Sequence, residues 1–577
     1  MLKDVFTLNH FRGRLAHTGA LPQLALLGLL SGLATGFVMV IFRFAIELPL
    51  EWLLGDPEAF EQLPWLLRGL FPLLGAGVIA LILLPFPPSR RRVGVVYVLE
   101  RLNFHQGYLH GRNAIIQFIT GSIAIISGMP GGREGPAVHL GAAICSQLGQ
   151  RIKVPNNTMR LMVGCGVAAA ISASFNTPLA GVLFAMEVVL MEYTVNGFLP
   201  VMIASVTAAV MNYLLFSSDV AFIVPELQYR SLTELPFIML LGVVLGALAA
   251  AFCKIVTLCQ HLHHWPLSAR LFCAGAVAGI AGIVAPQVMG IGYDTISDIL
   301  QPHLLLSTLL IITVVKLVAT AFCFGMGMPM GCIGPILFVG AAAGGALGVI
   351  ANVGSHQPVG AIGFYAMLGM GSMMGATLQA PLAALTALLE LTHNSNIIFP
   401  GMLAIVVANL TCTYVFKQKS LFWSLLLSSN QAQRQTPVSQ ALSRESVAAI
   451  MRRGVPLYPY KVPPELAHSM LDHNGPWYLI SRDDVPVCLL ATNDLRAFVL
   501  AEHAPTQEED TINLLAIPAI RKDVKAIAIQ STLKEAMDLF NQSGAEALYV
   551  TGWNGNIVGA FTRDDLTSYM NNQQTLL

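Results

Sequence analysis

The stretch GMPGGREGPAVHLGAAICSQLG at residues 128–149 returns at 327–348 as GMPMGCIGPILFVGAAAGGALG, shifted by 199 without a gap and identical at 11 of 22 positions. A second pair, TPLAGVLFAMEV (177–188) and APLAALTALLEL (380–391), aligns Pro178 with Pro381 and Glu187 with Glu390. Repetition of this quality implies two related halves, about 20–216 and 230–425. In transport proteins such halves are often inverted, with a binding site at their interface; the sequence leaves the inversion open.

Composition says where these halves reside. The chain is 55% hydrophobic and 11% charged, with a mean hydropathy of +0.65, against about 25% charged in average soluble proteins. It reads as an integral, multi-pass α-helical membrane protein. Net charge is zero, so nothing points to nucleic acid. Apolar runs near 21–47, 234–257 and 304–326 reach the roughly 20 residues that a bilayer requires. Others, near 114–127, 179–191 and 381–392, are shorter and cut by Gly and Pro. Broken helices at membrane depth belong where backbone lines a polar cavity, because hydrocarbon cannot satisfy free N–H and C=O groups.

The first apolar run is too long for a signal peptide, so it reads as an uncleaved membrane helix. Arg12 and Arg14 ahead of it predict a cytoplasmic N-terminus, and Arg90, Arg91 and Arg92 mark another cytoplasmic turn. The nine cysteines are scattered singly, which predicts neither a disulfide framework nor a metal site. His261, His263 and His264 in HLHHW, with Cys259 close by, lack a second ligand cluster and read as an interfacial loop.

Residues 434–577 hold 28 of the 64 Asp, Glu, Lys and Arg residues in a quarter of the length. A membrane domain over 1–430, a polar linker over 431–445 and a soluble tail over 446–577 follow from this shift. Within the tail, 446–500 and 517–571 each mix an amphipathic helix with short β-like runs, the pattern of a duplicated α+β module.

The chemistry centres on GGREGP. Glycines let backbone approach a ligand closely, and proline suits a helix's first turn. A helix start facing the protein interior offers free N–H groups and partial positive charge, which is an anion site. GCIGP in the second half offers another, so two helix starts would surround a dehydrated anion with no fixed cation to trap it. Where the first half has Glu134 the second has Ile333. The fold therefore needs the glycines and prolines but not the carboxylate, which is there for function. A tethered carboxylate competes with the anion for the same site; burial disfavours its charge, and protonation releases it. The alternative is a capping glutamate paired with Arg133. His139, five residues on, reads as a satisfied helix histidine.

GREGP, the downstream FNTPLAGVLFAMEVV, the second-half GCIGP and the tail modules together resemble the CLC family of chloride channels and proton/chloride exchangers, over essentially the whole chain. The resemblance implies a two-half inverted membrane fold and a homodimer with one pore per subunit, embedded in the lipid of the inner membrane with cytoplasmic termini. Glu134 would be the gate, and Gly331, Cys332, Ile333 and Gly334 would line the chloride site with backbone amides. This chain departs from the family in three places. The family's serine falls on Val93, its central tyrosine falls on Phe422, and Val188 replaces the inner glutamate that exchangers commonly carry. Glu187 and Val188 are thus the proton-pathway candidates, and Val188 predicts passive, glutamate-gated conduction, with coupled proton/chloride antiport as the alternative and a nucleotide-sensing receptor as the remote one. The tail resembles a pair of CBS domains: Thr562 and Asp565 stand where such domains meet an adenosine ribose, and Asp494 is kept while Ala491 replaces the hydroxyl. No cofactor is expected beside chloride as bound ion, except that the tail admits two readings, an adenine-nucleotide site and a purely structural dimerisation module. No metal is expected, and no motif in plausible context suggests an enzyme.

Overall fold

A computed structural model describes Arg12, Leu15 and residues 20–216, 234–301, 304–353, 361–428, 437–473, 475–500 and 511–574. Arg14 and linker residues 431–436 lie outside the described residues. The chain divides into two compact units, one of residues 21–152 with 159–433, the other of 434–577 with 1–20 and 153–158.

In the first unit, apart from the opening residues 156–158 of α6, the helices run α1 (Leu21–Leu54), α2 (Trp65–Leu83), α3 (Gly94–Phe104), α4 (Gly111–Ile126), α5 (Glu134–Ile152), α6 (Asn156–Phe175), α7 (Pro178–Phe184) and α8 (Val195–Phe216). The second half adds α9 (Leu235–Gln260), α10 (Leu267–Val284), α11 (Tyr293–Leu300), α12 (Leu306–Gly325), α13 (Ile333–Val353), α14 (Ala361–Leu378), α15 (Pro381–Thr392), α16 (Ile398–Leu410) and α17 (Leu421–Ser428). Among the described residues nine helices are long and apolar enough to cross a membrane; α4, α7, α14 and α15 are shorter, as broken spans should be. Short π turns, Ala185–Leu190 and Thr411–Val415, extend α7 and α16.

Small residues let these helices touch backbone to backbone, the usual way to gain contact where lipid is as apolar as leucine. A Cβ on Gly28 or Gly32 of α1 would lie 2.4 or 2.5 Å from the carbonyls of Pro200 and Ala204 on α8. In the second half Gly242 and Gly246 of α9 stand in the same relation to Ala404 and Ala408 on α16, at 2.9 and 2.5 Å. Likewise Gly141 meets the Gly166 carbonyl at 2.2 Å and its twin Gly340 meets that of Gly369 at 2.4 Å. The sequence repeat is therefore a repeat of packing.

The second unit carries α18 (Pro437–Arg444), β1 (Arg452–Arg453), β2 (Leu457–Pro459), β3 (Lys461–Val462), α19 (Pro464–Met470), β4 (Trp477–Arg482), β5 (Val485–Ala491) and α20 (Thr492–Val499). It continues through β6 (Ile512–Asn513), β7 (Arg521–Ala528), α21 (Leu533–Ser543), β8 (Ala547–Thr551), β9 (Ile557–Thr562) and α22 (Arg563–Gln574). Its main sheet runs β1-β9-β8-β7-β5-β4-β2. Each module repeats one plan: a parallel pair bracketing a helix (β2 with β4, β7 with β8), then an antiparallel hairpin and a helix. One boundary shifts from the sequence expectation. Residues 446–453 side with the second module, since Val447 packs with Leu533 and Phe540, and Arg452 pairs with Ala560. In α21 a capping box of Thr532 and Glu535 starts the helix, and Gly544 at φ +67° ends it.

Candidate anion pathway and gate

The two GxxGP-type loops meet each other. The Gly132 N–H donates to the Gly331 carbonyl at 2.9 Å and the Gly331 N–H to that of Gly132 at 2.8 Å. These residues occupy the same place in the repeat, so their reciprocal antiparallel pairing puts a local two-fold axis between the halves. A second exchange repeats the symmetry. Glu187, just past α7, accepts from the N–H groups of Leu382 and Ala383 at the start of α15, at 3.4 and 2.8 Å. Glu390 on α15 accepts from Leu179 and Ala180 at the start of α7, at 2.8 and 2.7 Å. The halves are therefore inverted, and each caps a short helix of the other.

Helices α5 and α13 begin beside this axis, with their unsatisfied N–H groups directed at the gap between them. Glu134, 0% exposed, fills that gap. Its Oε2 accepts from the Gly334 N–H at 3.3 Å and its Oε1 from the Tyr293 hydroxyl at 2.9 Å. Glycines make room for it: a Cβ on Gly132 would stand 2.0 Å from Oε2, on Gly331 3.1 Å from Oε2, and on Gly334 3.0 Å from Oε1. Cys332 and Ile333 are buried at the head of α13, but the amide brought to the carboxylate is that of Gly334. Glu134 is not paired with Arg133. That guanidinium reaches Glu47 at 3.4 Å and the Ser174 carbonyl at 2.8 Å, and lies 5.7 Å from the Tyr293 ring centroid.

Two vestibules lie near the site, the first reaching it through Arg133 and Tyr293. One, about 200 Å³, is lined by Glu47, Glu58, Arg133, Phe175 and Tyr293 among others; the second, about 650 Å³, by Arg92, Val93, Gln117, His263 and Met330 among others. Glu58 precedes α2 and Arg92 follows it, and 19 residues of helix rise about 28 Å, the thickness of the hydrocarbon core. The two vestibules therefore lie toward opposite ends of a helix long enough to span the hydrocarbon core. In the loop between α1 and α2, burial and then the neighbouring Asp294 carboxylate push Glu58 up to about 8.

Two residues escaped the sequence reading. Tyr293 is one. The other is Lys316 on α12, 0% exposed, whose ammonium donates to the carbonyls of Val288 at 2.8 Å, Gly290 at 2.9 Å and Ile291 at 3.3 Å. It fixes the loop that leads into Tyr293. The expectation that no fixed cation lies near is thus corrected, since Arg133 and Lys316 are both there, held by protein acceptors. A single lysine in an apolar run is the signal that could have found it, since an intramembrane charge is rare without a partner.

The remaining candidates fall in different places. Val93 caps α3 without offering a hydroxyl and lines the wider vestibule. Phe422 is buried on α17, which packs beside α3. The N–H that opens α3, of Gly94, donates to His139 Nδ1 at 3.2 Å, so the neutral ring carries its proton on Nε2. That nitrogen is buried without a protein partner, so His139 is only half satisfied. Glu187 is committed to its cap, and Val188 is a buried apolar side chain. His261, His263 and His264 form a 3-10 turn continuing α9 rather than a loop, with His263 bonded to the Gly325 carbonyl. In the tail, Asp565 accepts from the Thr562 N–H and hydroxyl, both at 2.8 Å, and from Arg452 at 2.7 Å. Asp494 accepts from the Ile520 N–H at 2.6 Å.

The chain has relatives of known family and fold. The sequence model of the family described as voltage gated chloride channel matches residues 75–413. A ClcB-like chloride channel protein of Ralstonia nicotianae is 30% identical over 408 residues, 67% of this chain and 93% of its own. The H(+)/Cl(-) exchange transporter ClcA of Vibrio vulnificus is 28% identical over 413 residues, 70% of this chain and 88% of its own. A solved structure of a slow cyanobacterial Cl-/H+ antiporter aligns with a TM-score of 0.64 at 20% identity, over 71% of this chain and 98% of its own, a likeness of fold.

Proposed function

This chain belongs to the CLC family of chloride channels and proton/chloride exchangers, and from that premise we propose that it exchanges chloride for protons across the membrane, with Glu134 as the gate. One observation carries the reading: the Glu134 carboxylate lies between the two opposed helix starts, in the glycine cradle that suits a dehydrated anion, bonded to the Gly334 N–H. Chloride and an ionised Glu134 cannot both occupy that cradle, because two anions a few ångströms apart repel strongly in a poorly hydrated site. A proton arriving through the Tyr293 vestibule neutralises the carboxylate, and its hold on the helix starts weakens as chloride takes its place. On the opposite side Val188 offers no titratable group, so the proton leaves through water in the 650 Å³ vestibule.

The expectation of passive conduction, drawn from Val188, is set aside as the first reading because relatives over the same region are named as exchange transporters. Passive conduction remains the second reading, favoured by Val188, Val93 and Phe422. A homodimer in a bacterial inner membrane with cytoplasmic termini belongs to the same proposal. The test is chloride efflux from proteoliposomes with external pH recorded in the same vessel. Protons driven against their gradient in fixed ratio to chloride are expected. Chloride leaving without proton movement would make the protein a channel.

A further inference from the structure

Tyr293 is placed as few surface tyrosines are. It opens α11, directly after Gly292 at φ +82°, a backbone turn that glycine tolerates best. Lys316 ties down the three carbonyls of the segment just before it, and Glu58 accepts from the Asp294 N–H at 2.8 Å just after it. The Arg133 guanidinium covers the ring from the vestibule. The hydroxyl is therefore held where it is, and it points at Glu134 Oε1.

We propose that Tyr293 is the positioning residue that latches the gate shut: its hydroxyl bonds the ionised Glu134 carboxylate more strongly than the protonated one and so sets the pH at which the gate releases. The physical reason is that a hydrogen bond to a charged acceptor is roughly twice as strong as one to a neutral acceptor. Because the latch favours the ionised, seated form, removing it eases protonation and release. The inference rests on Glu134 being the gate, but not on whether protons are coupled to chloride. The charged and titratable groups facing the same spot are Arg133 before α5, Glu47 on α1, Glu58 in the loop after it, Asp294 on α11, Lys316 on α12 and Cys332 before α13. None of them is changed by replacing a phenol with a phenyl ring.

The experiment is chloride flux through Tyr293→Phe in proteoliposomes, as a function of pH on the side of the Tyr293 vestibule, alone and combined with Glu134→Ala. Phenylalanine keeps the ring beneath Arg133 and removes only the hydroxyl. With the latch lost, the pH of half-maximal flux moves up by as much as about one unit, and flux at alkaline pH rises about tenfold. In the Glu134→Ala background the same substitution changes flux by less than about twofold, because there is no carboxylate to hold. An unchanged pH midpoint in Tyr293→Phe overturns the latch, as does an equal effect of the substitution with and without Glu134. Glu134→Ala alone retaining the wild-type pH response sinks the gate reading instead, so the two failures are told apart. Should Tyr293→Phe not fold, Tyr293→Leu removes the same hydroxyl with a smaller side chain, and an unmoved midpoint there overturns the proposal.

Discussion

The two membrane halves share paired glycines, prolines, helix starts and reciprocal caps, and they differ at the residue that enters the cradle between them, Glu134 against Ile333. Everything repeated is scaffold: Gly132 pairs with Gly331, Glu187 mirrors Glu390, and α1 packs on α8 as α9 packs on α16. What is not repeated is the group that can carry charge into the cradle and be neutralised there. In a duplicated fold, function is thus to be sought where the copies disagree, and agreement marks what holds the site open.

The sharpest way to break this comparison is Glu134→Gln. Glutamine fills the same space without a titratable group, so proton movement is lost entirely while chloride flux persists and loses its pH dependence. Simultaneous chloride and pH electrodes check it, and a variant that still drives protons would falsify the assignment. Next come the paired glycines, which look equivalent and are not. A Cβ on Gly331 meets backbone, 2.6 Å from the Gly135 nitrogen, whereas one on Gly132 meets the Glu134 side chain. Gly331→Ala is expected to cost at least about 1–3 kcal/mol of stability through forced backbone shifts. Gly132→Ala displaces the carboxylate instead and gives a folded protein with raised, less pH-sensitive flux. Thermal unfolding in detergent together with flux separates the two.

A smaller effect sharpens the role of Glu187. If it only caps α15, then Glu187→Ala and Glu390→Ala each lose about 1–2 kcal/mol and lower the unfolding temperature alike. A selective fall in proton rate with Glu187→Ala, and none with Glu390→Ala, would restore it to the proton route. The smallest contrast is in the tail, where Thr562 and Asp565 face their twins Ala491 and Asp494. Burial pulls the Asp565 carboxyl upward, but Arg452 and the Thr562 N–H and hydroxyl overcome this and hold it below its ordinary value of 3.8. Its stabilisation is therefore complete above that value and lost as pH falls through the lower folded one. Asp565→Ala should lower tail stability by about 1 kcal/mol at neutral pH and flatten its decline in acid. Tryptophan fluorescence of the full chain reports this through Trp477 and Trp553, and calorimetry with ATP, ADP and AMP tests whether the same pair meets a nucleotide.

Much of this is legible in the sequence. The gapless repeat revealed two halves, the mismatch at Glu134 singled out a carboxylate that the fold buries between the two helix starts, and the short Gly- and Pro-bounded runs became α4, α7 and α15. What stayed hidden depends on distance in the chain. Tyr293 lies 159 residues from the carboxylate it touches, and nothing in the pattern GIGYDTIS ties it to GREGP. The inversion was equally invisible, because a two-fold axis leaves no mark on letters; it shows only when Gly132 and Gly331 bond each other. Glu187 reads as a proton-pathway candidate because it adjoins Val188, where the family's exchangers commonly carry a glutamate; that it caps α15 as Glu390 caps α7 shows only in the bonds between the halves.

The Gly132–Gly331 pairing has an evolutionary reading. A pair of identical small proteins, joined head to head, would have placed one such loop from each partner on the axis, and any acidic side chain in one would have confronted its own image across a cradle with room for one. Only after duplication gave the two copies separate sequences could one keep the acid while the other gave it up. Symmetry built the chamber, and breaking it made a lock with a single bolt.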